Sequence, residues 1–123
     1  MPFLTHDMTL ENYRRFVQRV AASELAWVIR VASGFAFAES HDGTDDTPAT
    51  PVLLFWSDRA YAVRHAKEDW SAYAPKSIPL AEFLARWLPG MDKDRALVGP
   101  NWDAHLCGLE VEPLEVAANL GET

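Results

Sequence analysis

The first forty residues contain one helical pattern followed by two extended ones. Apolar residues recur every three or four positions after Thr9, a residue type that can cap a helix: Leu10, Tyr13, Phe16, Val17, Val20 and Ala21. This spacing predicts a helix over about 9–22. The run LAWVIRV (25–31) is almost continuously apolar, and FAFAE (35–39) alternates in residue size. We predict two strands here, paired antiparallel.

The middle of the chain predicts a strand followed at once by a helix. VLLFW (52–56) is fully apolar, and the character changes at Ser57 and Asp58. Serine is a good N-cap, and a carboxylate in the first turn favours the positive end of the helix dipole. The pattern therefore predicts a helix capped by Ser57. Its inward-facing residues are expected to be Ala62, Val63, Ala66 and Trp70.

The second half predicts one further strong helix, two short strands and a last helix. Pro79 suits the first position of a helix, Pro89 and Gly90 are expected to end it, and the apolar stripe between them comprises Leu80, Phe83, Leu84, Trp87 and Leu88. The segments ALVG (96–99) and LCGLEVE (106–112) are typical of short strands. Pro113 then opens a helix to about Leu120.

This order of elements predicts an α+β fold. A chain of 123 residues is long enough for one core and too short for two ordinary domains. We expect a single domain, with an N-terminal helix (about 9–22) and an α+β body (about 25–120). The body would hold a mixed β-sheet of about four to five strands with three to four helices packed on it. Helices separate the third and fourth strands, which indicates a parallel pair.

The charge of the chain excludes some partners. The formal net charge is −7, and no Lys/Arg-rich stripe reverses it locally, so nucleic acid is not an expected partner. No apolar run is long enough to cross a bilayer, and no leader pattern is present. Cys107 is the single cysteine, so no internal disulfide can form. We expect a soluble, cytoplasmic protein without a membrane partner.

Candidate catalytic and metal-binding residues are sparse. The histidines are scattered, and His105 with Cys107 would supply two metal ligands where a zinc site needs four. The serine of FWSDR lacks the G-x-S-x-G pattern of an exposed nucleophile. The glycines are isolated, so no phosphate-binding loop is present. We therefore expect no catalytic residues, no metal and no cofactor.

The candidate binding surface consists of two polar turns and a carboxylate beside them. Its residues are Trp56, Ser57, Asp58, Asn101, Trp102, Asp103 and Glu110. Trp102 has two interpretations that the sequence leaves open. It is either an exposed aromatic anchor with polar neighbours, as at binding hot spots, or a side chain folded back over the core. Glu110 likewise belongs either to the wet face of a strand or to an acid/base pair.

Three segments together resemble a known family. VLLFWSDRAYA (52–62), IPLAEFLARWLPGM (78–91) and LVGPNWDAHLCGLEVEPLEVA (97–117), in this order, resemble the small bacterial proteins grouped as domain of unknown function 2750. The resemblance implies a bacterial, cytoplasmic protein and adds no mechanism. The strand ending in FWSD is also similar, at the level of the fold, to enhanced-serine-sensitivity (SseB-like) domains.

Two classes of function remain open. The first is a non-catalytic protein-binding or regulatory module acting through Trp56 and Trp102, in one version an immunity-type protein that neutralises a basic toxin. The alternative is a small hydrolase or small-molecule-binding protein that uses Asp58, Glu110 and His105 around a pocket at the sheet edge. A homo-oligomer whose tryptophans bury a subunit contact is a third arrangement.

Overall fold

Six strands and five α-helices make up the computed structural model, which describes residues 2–31, 34–39, 50–67, 70–103 and 108–121. In chain order the elements are α1 (Pro2–Ser23), β1 (Leu25–Val31), β2 (Gly34–Phe35), β3 (Phe37–Glu39), β4 (Pro51–Phe55), α2 (Arg59–His65), β5 (Ala74–Pro79), α3 (Leu80–Glu82), a π-helical segment (Phe83–Trp87), α4 (Leu88–Lys93), β6 (Leu97–Pro100) and α5 (Pro113–Gly121). None of the helices in these ranges has both the length and the apolar character that crossing a bilayer requires.

The strands form two three-stranded sheets. One sheet has the order β2-β1-β5 and is antiparallel throughout, and the other has the order β3-β4-β6. Within the second sheet β4 pairs antiparallel with β3 and parallel with β6, as the intervening helices indicate. Trp27 and Trp56 join the sheets by exchanging two backbone hydrogen bonds of 2.8 Å. The predicted α+β class with mixed strand directions is confirmed, and its strands are divided between two sheets.

Both faces of β1, β4 and β6 are largely buried, which explains their continuous apolar runs. Successive side chains of a strand point to opposite faces. In β4, Leu53 and Phe55 pack in a cluster with α1, α4 and α5, whereas Val52 and Leu54 pack in a second cluster with α2. A strand covered on both sides has no polar alternation. The core therefore lies in two layers, one on each side of the sheets.

The predicted strand over 35–39 is interrupted at Ala36, where the chain passes from one sheet to the other. The Ala36 N–H donates to the Ile29 carbonyl of β1 at 3.1 Å, and its carbonyl accepts from the Leu54 N–H of β4 at 3.4 Å. Ala36 is buried, and its side chain packs in the second core cluster. One alternating sequence segment thus contributes the short strands β2 and β3.

Strand β5 was not predicted, because its two prolines favour a loop. Pro75 lies opposite Ile29 and Pro79 lies opposite Leu25, at the outer edge of the first sheet. Edge strands tolerate proline, since the missing N–H would face away from the sheet. Pro79 was predicted to be the first helical residue, and this was wrong. It ends β5, and the helix begins at Leu80.

Two helix boundaries also differ from the prediction. Helix α1 begins at Pro2, so Thr9 lies inside the helix and does not cap it. A proline is suited to a first helical turn, where its missing N–H is not needed. The helix expected to end at Pro89 and Gly90 continues to Lys93. The π-helical turn before Leu88 changes the hydrogen-bond register, and Pro89 then lies in the first turn of α4.

The strand predicted over 106–112 is wrong for the part that the structure describes. Within 108–112, Val111 forms an isolated bridge with Val98, through two backbone hydrogen bonds of 2.9 Å. The Leu109 carbonyl accepts a hydrogen bond from the Trp102 indole, a side-chain bond where a strand would have a backbone one. Pro113 then starts α5 directly. His105 and Cys107 lie outside the described residues.

Candidate functional site

A cavity of about 480 Å³ opens where the parallel strands β4 and β6 end. Trp56 directly follows β4, and Asn101, Trp102 and Asp103 directly follow β6. Helices α1 and α2 supply the remaining walls. The complete lining is Asn12, Arg15, Trp56, Tyr61, Arg64, His65, Asn101, Trp102 and Asp103. The two turns that the sequence grouped into one surface therefore meet here. Ser57, Asp58 and Glu110 lie outside this lining.

Asn101 joins three separate parts of the chain. Its Oδ1 accepts from the Ser57 N–H at 2.8 Å, and its Nδ2 donates to Ser57 Oγ at 3.0 Å and to the Asn12 carbonyl at 3.3 Å. Its own N–H donates to the Phe55 carbonyl at 2.8 Å. Asn101 has φ 49°, a left-handed conformation that asparagine adopts more readily than most residues. This geometry ties the ends of β4 and β6 to α1.

The tryptophans at the cavity are buried, so the interpretation of Trp102 as an exposed anchor is wrong. The exposed fraction is 0% for Trp56 and 4% for Trp102. The Trp56 indole donates to the Trp102 carbonyl at 3.2 Å, and the Trp102 indole donates to the Leu109 carbonyl at 2.8 Å. A Cβ on Gly99 would lie 2.8 Å from Trp102 Nε1. The two rings are thus fixed components of the cavity base.

His65 is the buried residue of α2 that the sequence interpretation missed. Its ring lies 4.6 Å from the Trp56 ring, between centroids. Nδ1 lies 2.8 Å from the Tyr61 carbonyl, and Nε2 lies 2.9 Å from the Asp103 carbonyl. Backbone oxygens thus lie within hydrogen-bonding distance of both ring nitrogens. His65 positions the β6 turn against α2.

Helical periodicity contained a signal for His65. It follows Ala62 by three positions, so both lie on the buried face, whereas the predicted Val63 is 43% exposed. The other predicted inward residues, Ala66 and Trp70, are partly buried against the second core cluster. Hydropathy alone favours a valine over a histidine for a buried position, whereas the helical spacing from Ala62 favours His65.

Asp58 is held in an ion pair with α1. Its carboxylate accepts two hydrogen bonds from Arg19, at 2.7 Å from Nε and 2.5 Å from Nη2, and a third from the Ser57 hydroxyl at 2.7 Å. The Arg19 bonds lower the pKa of the Asp58 carboxyl and outweigh its partial burial, which raises it; Ser57 and the nearby charge of Arg15 lower it further.

The predicted capping role of Ser57 is wrong. Asp58, with extended backbone angles of −131° and 141°, precedes the first residue of α2, and its side chain makes no capping hydrogen bond. Its carbonyl accepts from the N–H groups of Tyr61 and Ala62. The strand-to-helix junction is therefore stabilised by contacts with distant segments.

Two arginines, neither of them in a recognisable motif, provide positive charge at the cavity. Arg15 is on α1, and its Nη1 donates to Asn12 Oδ1 at 3.0 Å. Arg64 is on α2, with its guanidinium carbon 4.9 Å from the Tyr61 ring centroid. Asp103 is the acidic residue of the lining, and it is engaged in interactions with other parts of the chain. In the part of the chain that the structure describes, no three His, Cys, Asp or Glu side chains converge as metal ligands.

Comparison with known proteins identifies the family and nothing closer. The family model described as "Protein of unknown function (DUF2750)" matches residues 13–120, which covers nearly the whole chain and includes the three segments that carried the resemblance. Neither the curated proteins nor the solved structures provide a significant match.

Proposed function

This chain belongs to the DUF2750 family of proteins of unknown function, and we propose that it is a small-molecule-binding protein whose site is the cavity beyond β4 and β6. The position of the cavity is the observation that carries the proposal. In open α/β sheets, ligands bind in the crevice outside the carboxyl ends of the parallel strands, and the parallel pair of this mixed sheet has a cavity at the same place. Here β4 and β6 are adjacent and parallel, and the residues that follow them line one cavity.

The dimensions and rigidity of the cavity support this function. Ligand sites typically measure about 300–1,000 Å³, and this cavity measures 480 Å³. Its base consists of Trp56, His65 and Trp102, which are buried and hydrogen-bonded. A base fixed before the ligand arrives avoids the entropy cost of ordering it on binding.

The chemistry of the lining favours binding over hydrolysis. Ser57 is 3% exposed, and its hydroxyl donates to Asp58 and accepts from Asn101. A nucleophile needs access to the substrate, which the buried Ser57 hydroxyl lacks, and the carboxylate that accepts its hydrogen bond is already held by Arg19. The carboxylates of Asp58 and Glu110, which the hydrolase hypothesis used, lie outside the cavity lining.

The proposal is tested by blocking the cavity. The purified chain is dialysed to equilibrium against a bacterial metabolite extract, and the molecules enriched on the protein side are identified by mass spectrometry. The blocked variant is Asn12→Phe, and the matched control is Glu11→Phe, which alters the neighbouring exposed position of α1. We expect enrichment by the wild type and the control and a loss of at least about tenfold in the blocked variant, or about 1.4 kcal/mol. No enrichment, or equal enrichment by all three chains, refutes the proposal.

Protein binding remains a prediction, as does the bacterial, cytoplasmic setting. Trp56 and Trp102 would contact a partner directly only after the turns rearranged, because both rings are buried. An affinity capture from lysate with wild type and a folded Trp102→Ala variant tests it. A stoichiometric protein retained by the wild type and lost by the variant would support the protein-binding function and count against the small-molecule function.

A further inference from the structure

We propose that the ligand of this cavity is an oxyanion, a small molecule with a carboxylate or phosphate group that Arg15 and Arg64 bind together. This inference rests on the proposed function and specifies its ligand class. The observation behind it is that two guanidinium groups, on two different helices, line one cavity in a chain whose net charge is −7.

The bonding partners of Arg15 and Arg64 differ from those of Arg14 and Arg19, two other arginines of α1. Arg14 pairs with Glu11 at 3.3 Å, and Arg19 pairs with Asp58, so an acidic side chain compensates each charge. Arg15 instead contacts the neutral amide of Asn12, and Arg64 lies over the neutral ring of Tyr61. These two contacts orient the guanidinium groups and supply no negative charge, and the nearby acidic groups, Asp58 beside Arg15 and Asp103 in the lining, act on them only in part.

The geometry of a guanidinium suits an oxyanion. Arginine presents five N–H donors in a planar fork that matches two oxygens of a carboxylate or phosphate. A bond to one amide oxygen, as in Arg15, uses one of these donors. The contact of Arg64 is with the face of an aromatic ring, which offers no hydrogen-bonding oxygen of the kind that a carboxylate or phosphate supplies.

The exposed part of the lining is polar, which favours a charged ligand over an apolar one. Arg15 and Arg64 are exposed, and Asn12, Tyr61 and Asp103 are partly exposed, whereas the aromatic base is buried. Asp103 contributes one carboxylate against two guanidinium groups. The lining is therefore more positive than the chain around it, which attracts an anion to this site in preference to the rest of the surface.

The test measures thermal stabilisation by pyrophosphate and by citrate at constant ionic strength, with glucose and spermidine as neutral and cationic probes. A ligand that binds the native state raises the melting temperature in a saturable way. We expect saturation with pyrophosphate or citrate and none with glucose or spermidine. The stronger of the two anions identifies phosphate or carboxylate as the preferred group.

Paired double variants locate the anion. Arg15→Gln with Arg64→Gln removes both proposed ligands, and Arg14→Gln with Arg59→Gln removes two exposed arginines of the same helices outside the cavity lining. We expect the first pair to weaken the apparent Kd at least about tenfold and the second pair to leave it within about twofold. If the first double variant fails to fold, the two single variants are measured instead.

The outcomes separate this inference from the function on which it rests. No saturable shift with either anion, or equal weakening by both pairs, overturns the anion assignment. If the dialysis experiment then still retains neutral or cationic molecules that Asn12→Phe excludes, small-molecule binding stands and only the ligand class is wrong. If it retains nothing, both proposals fail.

Discussion

Replacing Asn101 measures how much its hydrogen bonds, which join the ends of β4 and β6, contribute to the free energy of unfolding. Both Asn101→Gly and Asn101→Ala remove the acceptor of the buried Ser57 N–H, and both remove the donor to the Asn12 carbonyl. An unsatisfied buried N–H costs about 1–3 kcal/mol. Alanine also has to adopt φ 49°, which costs about 1–2 kcal/mol. We expect losses of about 1–3 kcal/mol for Gly and about 2–5 kcal/mol for Ala.

The assay is urea unfolding followed by tryptophan fluorescence and circular dichroism. With an m-value of about 1–3 kcal/mol/M, a loss of about 3 kcal/mol lowers the midpoint by about 1–3 M. Arg95 provides the matched control, because it is exposed and has φ 59°. The difference between Arg95→Gly and Arg95→Ala measures the backbone cost alone. If Asn101→Gly is as stable as the wild type, the hydrogen bonds of Asn101 do not stabilise the fold and the reasoning fails.

The remaining predictions concern packing and charge. Gly99→Ala places a Cβ 2.7 Å from Leu54 Cδ2 and 2.8 Å from Trp102 Nε1, so we expect a thermal destabilisation of about 1–3 kcal/mol. Gly90→Ala, where nothing lies within 4 Å of the added Cβ, should instead stabilise the helix by about 0.5–1 kcal/mol, and equal effects of the two substitutions would contradict this packing. Arg19 lowers the pKa of Asp58 in the folded state below its ordinary value of 3.8. The ionised Asp58 therefore contributes to the free energy of unfolding in full above that pH, and its contribution declines as the pH falls below it. Asp58→Asn removes this contribution. Urea midpoints of the wild type and of Asp58→Asn between pH 7 and pH 3 measure this contribution. A difference between the two midpoints that stays constant over this range would refute the stabilising role of the Asp58–Arg19 pair.

The sequence predicted those parts of the fold that depend on local patterns. The amphipathic stripe of α1 and the apolar runs of β1, β4 and β6 correspond to real elements, and the helix expected after Pro113 is α5. Strand β5 was missed because its prolines are tolerated only through its edge position, which depends on the whole sheet. The division at Ala36 likewise depends on a second sheet that local alternation cannot indicate.

The sequence grouped the turns after Trp56 and after β6 into one candidate surface without a reason for them to meet, and the parallel pairing of β4 with β6 is what brings them together. The sequence does not place Trp56 beside Trp102, whereas in the structure the Trp56 indole donates to the Trp102 carbonyl. His65, Arg15 and Arg64 were missed. Each lies on a helix, and its relevance depends on which face of that helix meets a distant turn. A lone arginine in a sequence does not reveal whether its partner is acidic or neutral.

The hydrogen bond between Asn101 and the Asn12 carbonyl also bears on how the protein is made. The two residues are 89 positions apart, so the ribosome adds Asn101 roughly 5–20 s after Asn12, at about 5–20 residues per second. During this interval the apolar face of α1 has no completed sheet to cover it. The cavity is consequently one of the last features to form during synthesis, because its lining is incomplete until β6 and the turn after it have emerged.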